Sequence, residues 1–327
     1  MAYPDRTIIK LALPTPWPVG DVNVYFIDGP EPVLVDTGVR SSKSLKALGD
    51  QLAAHGRRLG EVRHIVVTHG HYDHAGAAHR LSRDCDATLY LHEKNVLEIR
   101  REMGTMEVMS GLLVRCGFPK DLLDQTITAF SHEVRFADIE TAPHRVEFLK
   151  DGQTITIGGL ALEVIATPGH SPDHLCYRNP ATGALFSGDM LLPHITPNPL
   201  LYLDPDNGFR RYRSLIDYMA SLDRLSAYQL SAGYPGHGRD IDNVPALIAH
   251  SREFVQKRKE IFRKKIAGGA STPWALARAV FGELDLTNSY LAVSEAIAHL
   301  DLLERGGDVV VYWDGATVTA QAVTPRH

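Results

Sequence analysis

The chain has 327 residues, 44% of them hydrophobic and 22% charged. This composition is close to the globular average and excludes a disordered, collagen-like or coiled-coil chain. The 34 Lys and Arg against 39 Asp and Glu leave a net charge of −5, so a surface that neutralises many phosphates is disfavoured. Cys85, Cys116 and Cys176 are scattered and form no CxxC pair; they read as reduced, buried thiols, not as a disulfide framework or a thiolate zinc site. The opening MAYPDRTIIKLALP has no basic n-region, and no uncharged apolar run reaches about 18 residues. The expectation is a soluble, cytoplasmic protein without a membrane span.

In chain order, the pattern predicts strands over Thr7–Leu13, Val22–Ile27 and Val33–Val35, then a helix over Ser42–His55 with Leu45, Leu48 and Leu52 on one face. Val62–Thr68 reads as a buried strand, Ala75–Arg83 as a short helix and Thr88–His92 as a strand. The segment from Glu93 to Pro143 is helical and Met-rich. Strands return at Val146–Leu149, Thr154–Ile157, Leu160–Ala166, Leu175–Tyr177 and Ala184–Phe186, followed by a helix over Arg210–Leu225 and a strand at Gln229–Ala232. Strands followed by helices, twice over, suggest two packed sheets with helices outside, because each sheet must cover both faces. From about Asn243 the texture changes. An amphipathic helix over Pro245–Ile266 carries Leu247, Phe254 and Ile261 on one stripe, with Ile248, Val255 and Phe262 beside it. A helix from Pro273, another over Asn288–Glu304, and a hairpin in VVVYWDGATVTAQ with an Asp-Gly turn complete the outline of a winged-helix module.

The chemistry is concentrated in His69-Gly70-His71-Tyr72-Asp73-His74, directly after a predicted strand. His69 and His71 are two apart and point the same way from an extended segment. Asp73 and His74 fall where the chain turns into a helix. Later strands end in Thr-Pro-Gly-His170, Ser-Gly-Asp189 and Tyr-Pro-Gly-His237-Gly. Each places a ligand-type side chain in a glycine turn at a strand end, where α/β sheets gather ligands. Imidazoles and carboxylates without thiolate suit zinc, with iron or manganese as second choices.

These residues resemble the metallo-β-lactamase superfamily, whose pattern is HxHxDH, a later His, a bridging Asp and a final His. The resemblance spans roughly Asp21–Val244 and implies an αββα sandwich with a metal site at one edge. It implies that His69, His71 and His170 hold one metal, that Asp73, His74 and His237 hold a second, and that Asp189 bridges them. Asp36, in VLVDTG, matches a position that orients a ligating His; His174 is either another orienting group or a structural His. The implied enzyme is a dinuclear zinc hydrolase with a metal-activated hydroxide as nucleophile, oriented by Asp73 and Asp189. No GxSxG elbow, Walker loop or dinucleotide fingerprint offers a rival site.

The metal residues are similar to those of the glyoxalase II branch, but the basic C-terminal pattern that grips glutathione there is missing. His71 stands where the diiron flavoprotein branch has Glu, which disfavours oxygen or nitric oxide reduction. The tail resembles that of the lactamase-β-like 2 group, in which the sandwich carries a winged-helix module and some members cut single-stranded RNA. Two organisational parts are thus expected, a catalytic domain over 1–243 with an insert at about 93–143, and a helical module over 244–327. On the tail's long helix, Arg252, Lys257, Arg258, Lys259, Arg263, Lys264 and Lys265 outnumber Glu253 and Glu260. A solvated helix face is the preferred reading, and Glu295, Asp301 and Glu304 on the next helix have the wrong sign for a phosphate-lined groove. The tail therefore reads as pocket wall, lid or homodimer contact. In the insert, Met103, Met106 and Met109 near Leu112 and Leu113 read as core, or as a soft wall over the metals suited to acyl groups. His194 and Tyr202, in the loop after Asp189, are weaker candidates for substrate contact. The leading expectation is hydrolysis of a small acyl substrate (thioester, ester or lactone), and the alternative is a metal-dependent endoribonuclease.

Overall fold

The computed structural model describes residues 7–136 and 145–323, the side chains of 95–104, 133, 134 and 287 excepted. Strands β1 (Ile8–Leu13), β2 (Val22–Ile27) and β3 (Val33–Val35) precede helix α1 (Ser42–Ala54). Next come β4 (His64–Val66), α2 (Tyr72–Ala75), α3 (Ala78–Asp84) and β5 (Thr88–His92). Two longer helices, α4 (Glu93–Arg115) and α5 (Lys120–Glu133), lead to β6 (Arg145–Leu149), β7 (Thr154–Ile157), β8 (Leu160–Ala166), β9 (Leu175–Arg178) and β10 (Leu185–Gly188). A short ribbon of β11 (Leu203–Asp204) and β12 (Arg210–Arg211) precedes α6 (Ser214–Leu225) and β13 (Gly233–Pro235). The chain continues through α7 (Val244–Ala267), α8 (Pro273–Phe281), α9 (Leu286–Arg305) and the hairpin β14 (Val309–Tyr312) and β15 (Thr319–Ala322).

One sheet has the order β1-β2-β3-β4-β5-β6 and the other β13-β10-β9-β8-β7. Side-chain alternation sends each strand's residues to opposite faces. On β2, Val24 and Phe26 therefore join Leu48, Leu52 and Leu81 under the outer helices, while Tyr25 and Ile27 enter the space between the sheets. There they meet Leu162, Val164, Tyr177 and Phe186 of the second sheet. The far face of that sheet, through Ile165, Cys176 and Leu185, packs on Leu215, Leu222, Ile248 and Val255 of α6 and α7. Helix, sheet, sheet and helix form four layers, as expected.

The insert and the tail share one apolar core. Leu113, Phe118 and Leu123 pack with Phe262, Leu276, Val293, Ile297, Val309 and Val318. Met109 and Leu112 lie against this same core, so they are packing residues and not a wall over the metals; the side chain of Met103 and residue Pro143 lie outside the described residues. On α7 the stripe that is buried is Ile248, Val255 and Phe262, whereas Ile261 is 42% exposed. Three local expectations shift. The strand expected at Gln229–Ala232 forms at Gly233–Pro235, because parallel pairing of Leu185 with Gly233 overrides intrinsic propensity. Residues 210–211 form β12 and not the start of a helix. The Asp-Gly turn opens into a loop over 313–318, because the loop is docked elsewhere: Arg115 donates to the Gly315 carbonyl at 3.1 Å, and Val318 N–H donates to the Arg115 carbonyl at 2.7 Å.

Candidate metal centre

Four strand ends assemble the site. His69, His71, Asp73 and His74 follow β4, His170 follows β8, Asp189 follows β10 and His237 follows β13. All seven residues expected from the sequence meet in one place. The ring nitrogens of His69, His71 and His170 form one group, and the side-chain donors of Asp73, His74 and His237 form a second. His71 Nδ1 lies 2.9 Å from both His69 Nε2 and His170 Nε2. Asp189 stands between the groups, with one oxygen 3.4 Å from His74 Nε2 and the other 3.5 Å from His170 Nε2 and 3.7 Å from His237 Nε2. Asp73 Oδ2 is 3.2 Å from His237 Nε2.

The outward ring nitrogens are held by the protein, which fixes the tautomers. His74 Nδ1–H donates to Asp36 at 2.8 Å, and His237 Nδ1–H donates to the Asp21 carbonyl at 2.8 Å. His69 Nδ1–H donates at 3.0 Å to Thr68 Oγ1, whose own proton goes to Asp36 at 2.9 Å. His170 Nδ1–H donates to the Asn198 carbonyl at 3.4 Å. His71 is reversed: its Nδ1 faces the cluster and its Nε2 meets the Tyr202 hydroxyl. Asp36 thus has the orienting position that the resemblance implies. His174 is not among the converging donors. Its Nε2 accepts the Asp189 N–H at 3.1 Å, and its Nδ1 pairs with Thr167 Oγ1 at 2.9 Å, so it steadies the backbone of Asp189.

Two glycines are required by this crowding. A Cβ on Gly236 would come within 2.2 Å of Asp189 Oδ1 and 2.5 Å of His74 Cε1. Gly188 has φ +46°, and a Cβ there would approach His174 Nε2 and Thr68 at 2.8 Å.

The cluster has the electrostatics of a cation site. His74 Nε2, His237 Nε2 and Asp189 Oδ1 are buried without any hydrogen-bond partner. With Nδ1 protonated on both rings, lone pairs face carboxylate oxygens at 3.2–3.9 Å, an arrangement that is repulsive unless positive charge lies between them. The titration preferences agree. Burial pushes His69 well below its ordinary value and His71 down to about 3, so that group presents neutral imidazoles. Burial opposes charge on His74 and His237 too, but the carboxylates of Asp189 and Asp73, joined at His74 by that of Asp36, outweigh it and raise both. Burial also opposes ionisation of Asp189 and Asp73, yet the surrounding imidazoles hold Asp189 well below the carboxylate range and Asp73 at about 2. The first group thus offers neutral imidazoles, and the carboxylates of the second draw positive charge to His74 and His237, a place that a dication could take instead of those protons. Ligands about 2.0–2.1 Å from a tetrahedral ion stand roughly 3.3 Å apart, close to the separations between donors here.

Sequence reasoning missed Thr68, Asn198 and the Asp21 carbonyl. Tyr202, a weaker candidate for substrate contact, meets the candidate ligand His71. His194 is exposed and its ring lies against the Gly238 turn, where a Cβ would be 2.7 Å from Nδ1. Among the described residues no helix is long and apolar enough to cross a membrane.

Comparison with known proteins agrees with the layers and the motif. The family model "Metallo-beta-lactamase superfamily" matches residues 17–237. A "Probable metallo-hydrolase YqjP" of Bacillus subtilis is 30% identical over 320 residues, covering 95% of this chain and 96% of that protein. An "Atrochrysone carboxyl ACP thioesterase" of Aspergillus fumigatus is 25% identical, covering 83% of this chain and 72% of that protein. The crystal structure of the metallo-beta-lactamase family protein TTHA1429 from Thermus thermophilus superposes with a TM-score of 0.83 at 26% identity, over 97% of this chain and 98% of that one. A model match over most of the chain, a full-length relative and a full-length structural likeness concur: the chain belongs to the metallo-β-lactamase superfamily and is a hydrolase of that superfamily.

Proposed function

We propose that the protein is a dinuclear metal-dependent hydrolase of a small acyl substrate, a thioester, ester or lactone, with zinc as the preferred ion. The observation that carries this reading is Asp189, whose carboxylate reaches both donor groups, His170 of the first and His74 and His237 of the second. In this reading His69, His71 and His170 hold one ion, Asp73, His74 and His237 the other, and Asp189 both, a glyoxalase II-like set. Bound dications supply positive charge that lowers the pKa of a water and takes up charge developing on a substrate oxygen. The chain's own residues do the rest. Asp36 and Thr68 hold His74 and His69 in the tautomers that leave Nε2 open. His174 holds the backbone of Asp189, and Asp73 and Asp189 orient the attacking water.

The surroundings favour an apolar substrate body. Tyr72, between two candidate ligands, is buried against Trp17 and Phe136, whose rings pack edge to face at 5.4 Å. Trp17 lies on the segment that supplies the Asp21 carbonyl to His237. A fungal relative named as an acyl-carrier thioesterase supports the same substrate class. The ribonuclease alternative needs free cations, but the long basic helix is largely neutralised by its neighbours and by its own acids. Arg252 faces Asp223 at 2.6 Å, Lys257 Glu253 at 2.6 Å, Lys259 Asp308 at 2.7 Å, Arg263 Glu260 at 2.7 Å and Arg258 Glu295 at 3.7 Å. The tail's order of three helices and a hairpin is winged-helix-like, and we read it as a buttress with no nucleic-acid role.

The test is a panel of thioesters, lactones, phosphodiesters and single-stranded RNA, assayed on chelator-stripped protein before and after zinc or manganese is restored. Acyl turnover that is lost and regained with about two ions per chain is the expected result. RNA cleavage without acyl turnover would overturn the substrate class, and activity indifferent to the chelator would overturn the metal reading.

A further inference from the structure

The segment between Asp189 and α6 touches the candidate ligands on one side and the C-terminal helix on the other. The Asn198 carbonyl accepts from His170 Nδ1–H, while the Asn198 side-chain Nδ2 donates to the Leu291 carbonyl of α9 at 3.2 Å. Three residues on, the Leu201 carbonyl accepts from the Tyr290 hydroxyl of α9 at 3.2 Å, and the Leu201 side chain is buried in the tail's core. The next residue, Tyr202, meets His71 Nε2. Two of the three imidazoles in the first donor group therefore have their outward nitrogens set by a stretch of chain that the first turns of α9 tie down, together with Ser214 Oγ–H to the Leu200 carbonyl at 2.7 Å and Tyr212 N–H to the Tyr202 carbonyl at 3.0 Å.

We propose that α9 is a positioning element of the metal centre, acting through Asn198 and Tyr290 on His170 and His71. This rests on the reading that those imidazoles ligate an ion. The geometry explains why the tail is built onto the sandwich as one packed unit. The His170 contact, at 3.4 Å, is long for a hydrogen bond, so it has little tolerance for outward movement of Asn198. Residues 198–202 contain no strand or helix of their own, so backbone hydrogen bonds within an element do not hold them. A second anchor lies past the ribbon, where Arg211 makes a two-pronged ion pair with Asp301 of α9, the Nη2 to Oδ1 prong being 2.8 Å. Outer partners that orient ligands typically change metal affinity by about 10–100-fold when removed. The Asn198 and Tyr290 side chains are one step further out and should together contribute the lower part of that range.

The experiment uses full-length protein carrying Asn198→Ala, Tyr290→Phe, or both, with Lys259→Ala as a control that loosens the tail at its contact with Asp308, away from residues 198–202. Cobalt(II) is titrated into each chelator-stripped protein, and the visible d–d bands and binding isotherm are read beside the thermal midpoint. The expected result is a loss of cobalt affinity of about 10-fold in the double variant, with a changed band pattern at saturation. Lys259→Ala should show wild-type bands whatever its thermal midpoint. Wild-type bands and affinity in the double variant would overturn the proposal, and so would an equal change in Lys259→Ala, which would mean that the site responds only to global loosening. Wild-type protein that takes up no cobalt would overturn the metal reading itself, an outcome distinct from both.

Discussion

Replacing Asp36 by Asn isolates what one carboxylate does for the candidate centre. Asp36 is 2% exposed with φ +61°, a left-handed conformation that Asn adopts as readily as Asp, so the change adds neither bulk nor backbone strain. One oxygen accepts Thr68 N–H at 2.8 Å and the other accepts His74 Nδ1–H at 2.8 Å. An amide keeps only one acceptor. With that acceptor on Thr68, the NH2 group faces His74 Nδ1, and either two donors oppose each other or the imidazole moves its proton to Nε2. The second outcome removes the lone pair that should bind the ion. A hydrogen bond to a charged group contributes about 1.5–3 kcal/mol, which at about 1.4 kcal/mol per decade is roughly 10- to 150-fold in metal affinity. Competition titration of stripped Asp36→Asn protein with zinc and a chromophoric chelator should show that loss on the ion proposed for Asp73, His74 and His237. The stripped protein loses the same buried hydrogen bond, so its thermal midpoint should fall as well. Asp36→Ala should differ, because it also leaves the Thr68 N–H unsatisfied, costing the fold a further 1–3 kcal/mol or so. Unchanged zinc affinity and stoichiometry in Asp36→Asn would refute the orientation argument.

Two further outcomes follow from buried ionisable groups in the tail. Burial pushes His299 down to about 4, and its ring stacks on Phe262 at 4.7 Å. The unfolded chain takes up a proton below about 6.5 while the folded chain resists it, so this group's contribution is complete above that pH and is lost as pH falls from about 6.5 to 4. The loss totals about 3 kcal/mol, and urea midpoints across that window should show a shallower slope for His299→Gln; parallel slopes would contradict the assignment. Asp301→Ala strands the Arg211 guanidinium, which lies 3.9 Å over the Trp313 ring, and should cost about 3–5 kcal/mol in chemical unfolding. Exchanging both partners for apolar residues (Asp301→Leu with Arg211→Met) should recover much of that, and a single-variant loss below about 1 kcal/mol would show that the pair does not hold the ribbon to α9.

The sandwich and the candidate ligands were legible for different reasons. The apolar runs of β2 and β4 announce strands buried on both faces, and HxHxDH is contiguous, so a local pattern carries two donors of each candidate group. His170, Asp189 and His237 could be placed only because each ends a strand in a glycine turn. What orients them was largely hidden. Two of the orienting acceptors are backbone carbonyls, of Asp21 and Asn198, and any residue type presents a carbonyl. Thr68 reads as the last residue of a strand, yet its hydroxyl links His69 to Asp36. The strand before it is shorter than its apolar pattern suggests, because the Thr68 amide is turned to the Asp36 carboxylate and not to a neighbouring strand. Tyr202 looked like a substrate contact because its loop follows Asp189, and only the fold brings it to His71.

Charge on α7 shows where counting residues fails. Seven basic side chains suggest a phosphate-binding stripe, but their partners come from α6, α9 and the turn before β14 as well as from α7 itself. Lys259 is the informative case. Its ammonium reaches Asp308 at 2.7 Å and is only 24% exposed, so reversing it would repel the hairpin and confound folding with ligand binding. Lys257 and Lys264 are each 71% exposed and pair only within the helix, with Glu253 and Glu260. Lys257→Glu with Lys264→Glu is therefore the clean charge reversal, leaving the Ile248, Val255 and Phe262 stripe seated. For an acyl hydrolase it should change neither turnover nor the thermal midpoint appreciably. For an RNA-cutting enzyme, losing two phosphate contacts would flatten the log–log salt dependence of single-strand binding by about 1.4, at about 0.7 per contact, and RNA cleavage would fall with it. Measuring ester turnover and RNA affinity across salt on this one variant decides between them, and a flattened slope with weakened RNA cleavage would refute the acyl reading of the tail.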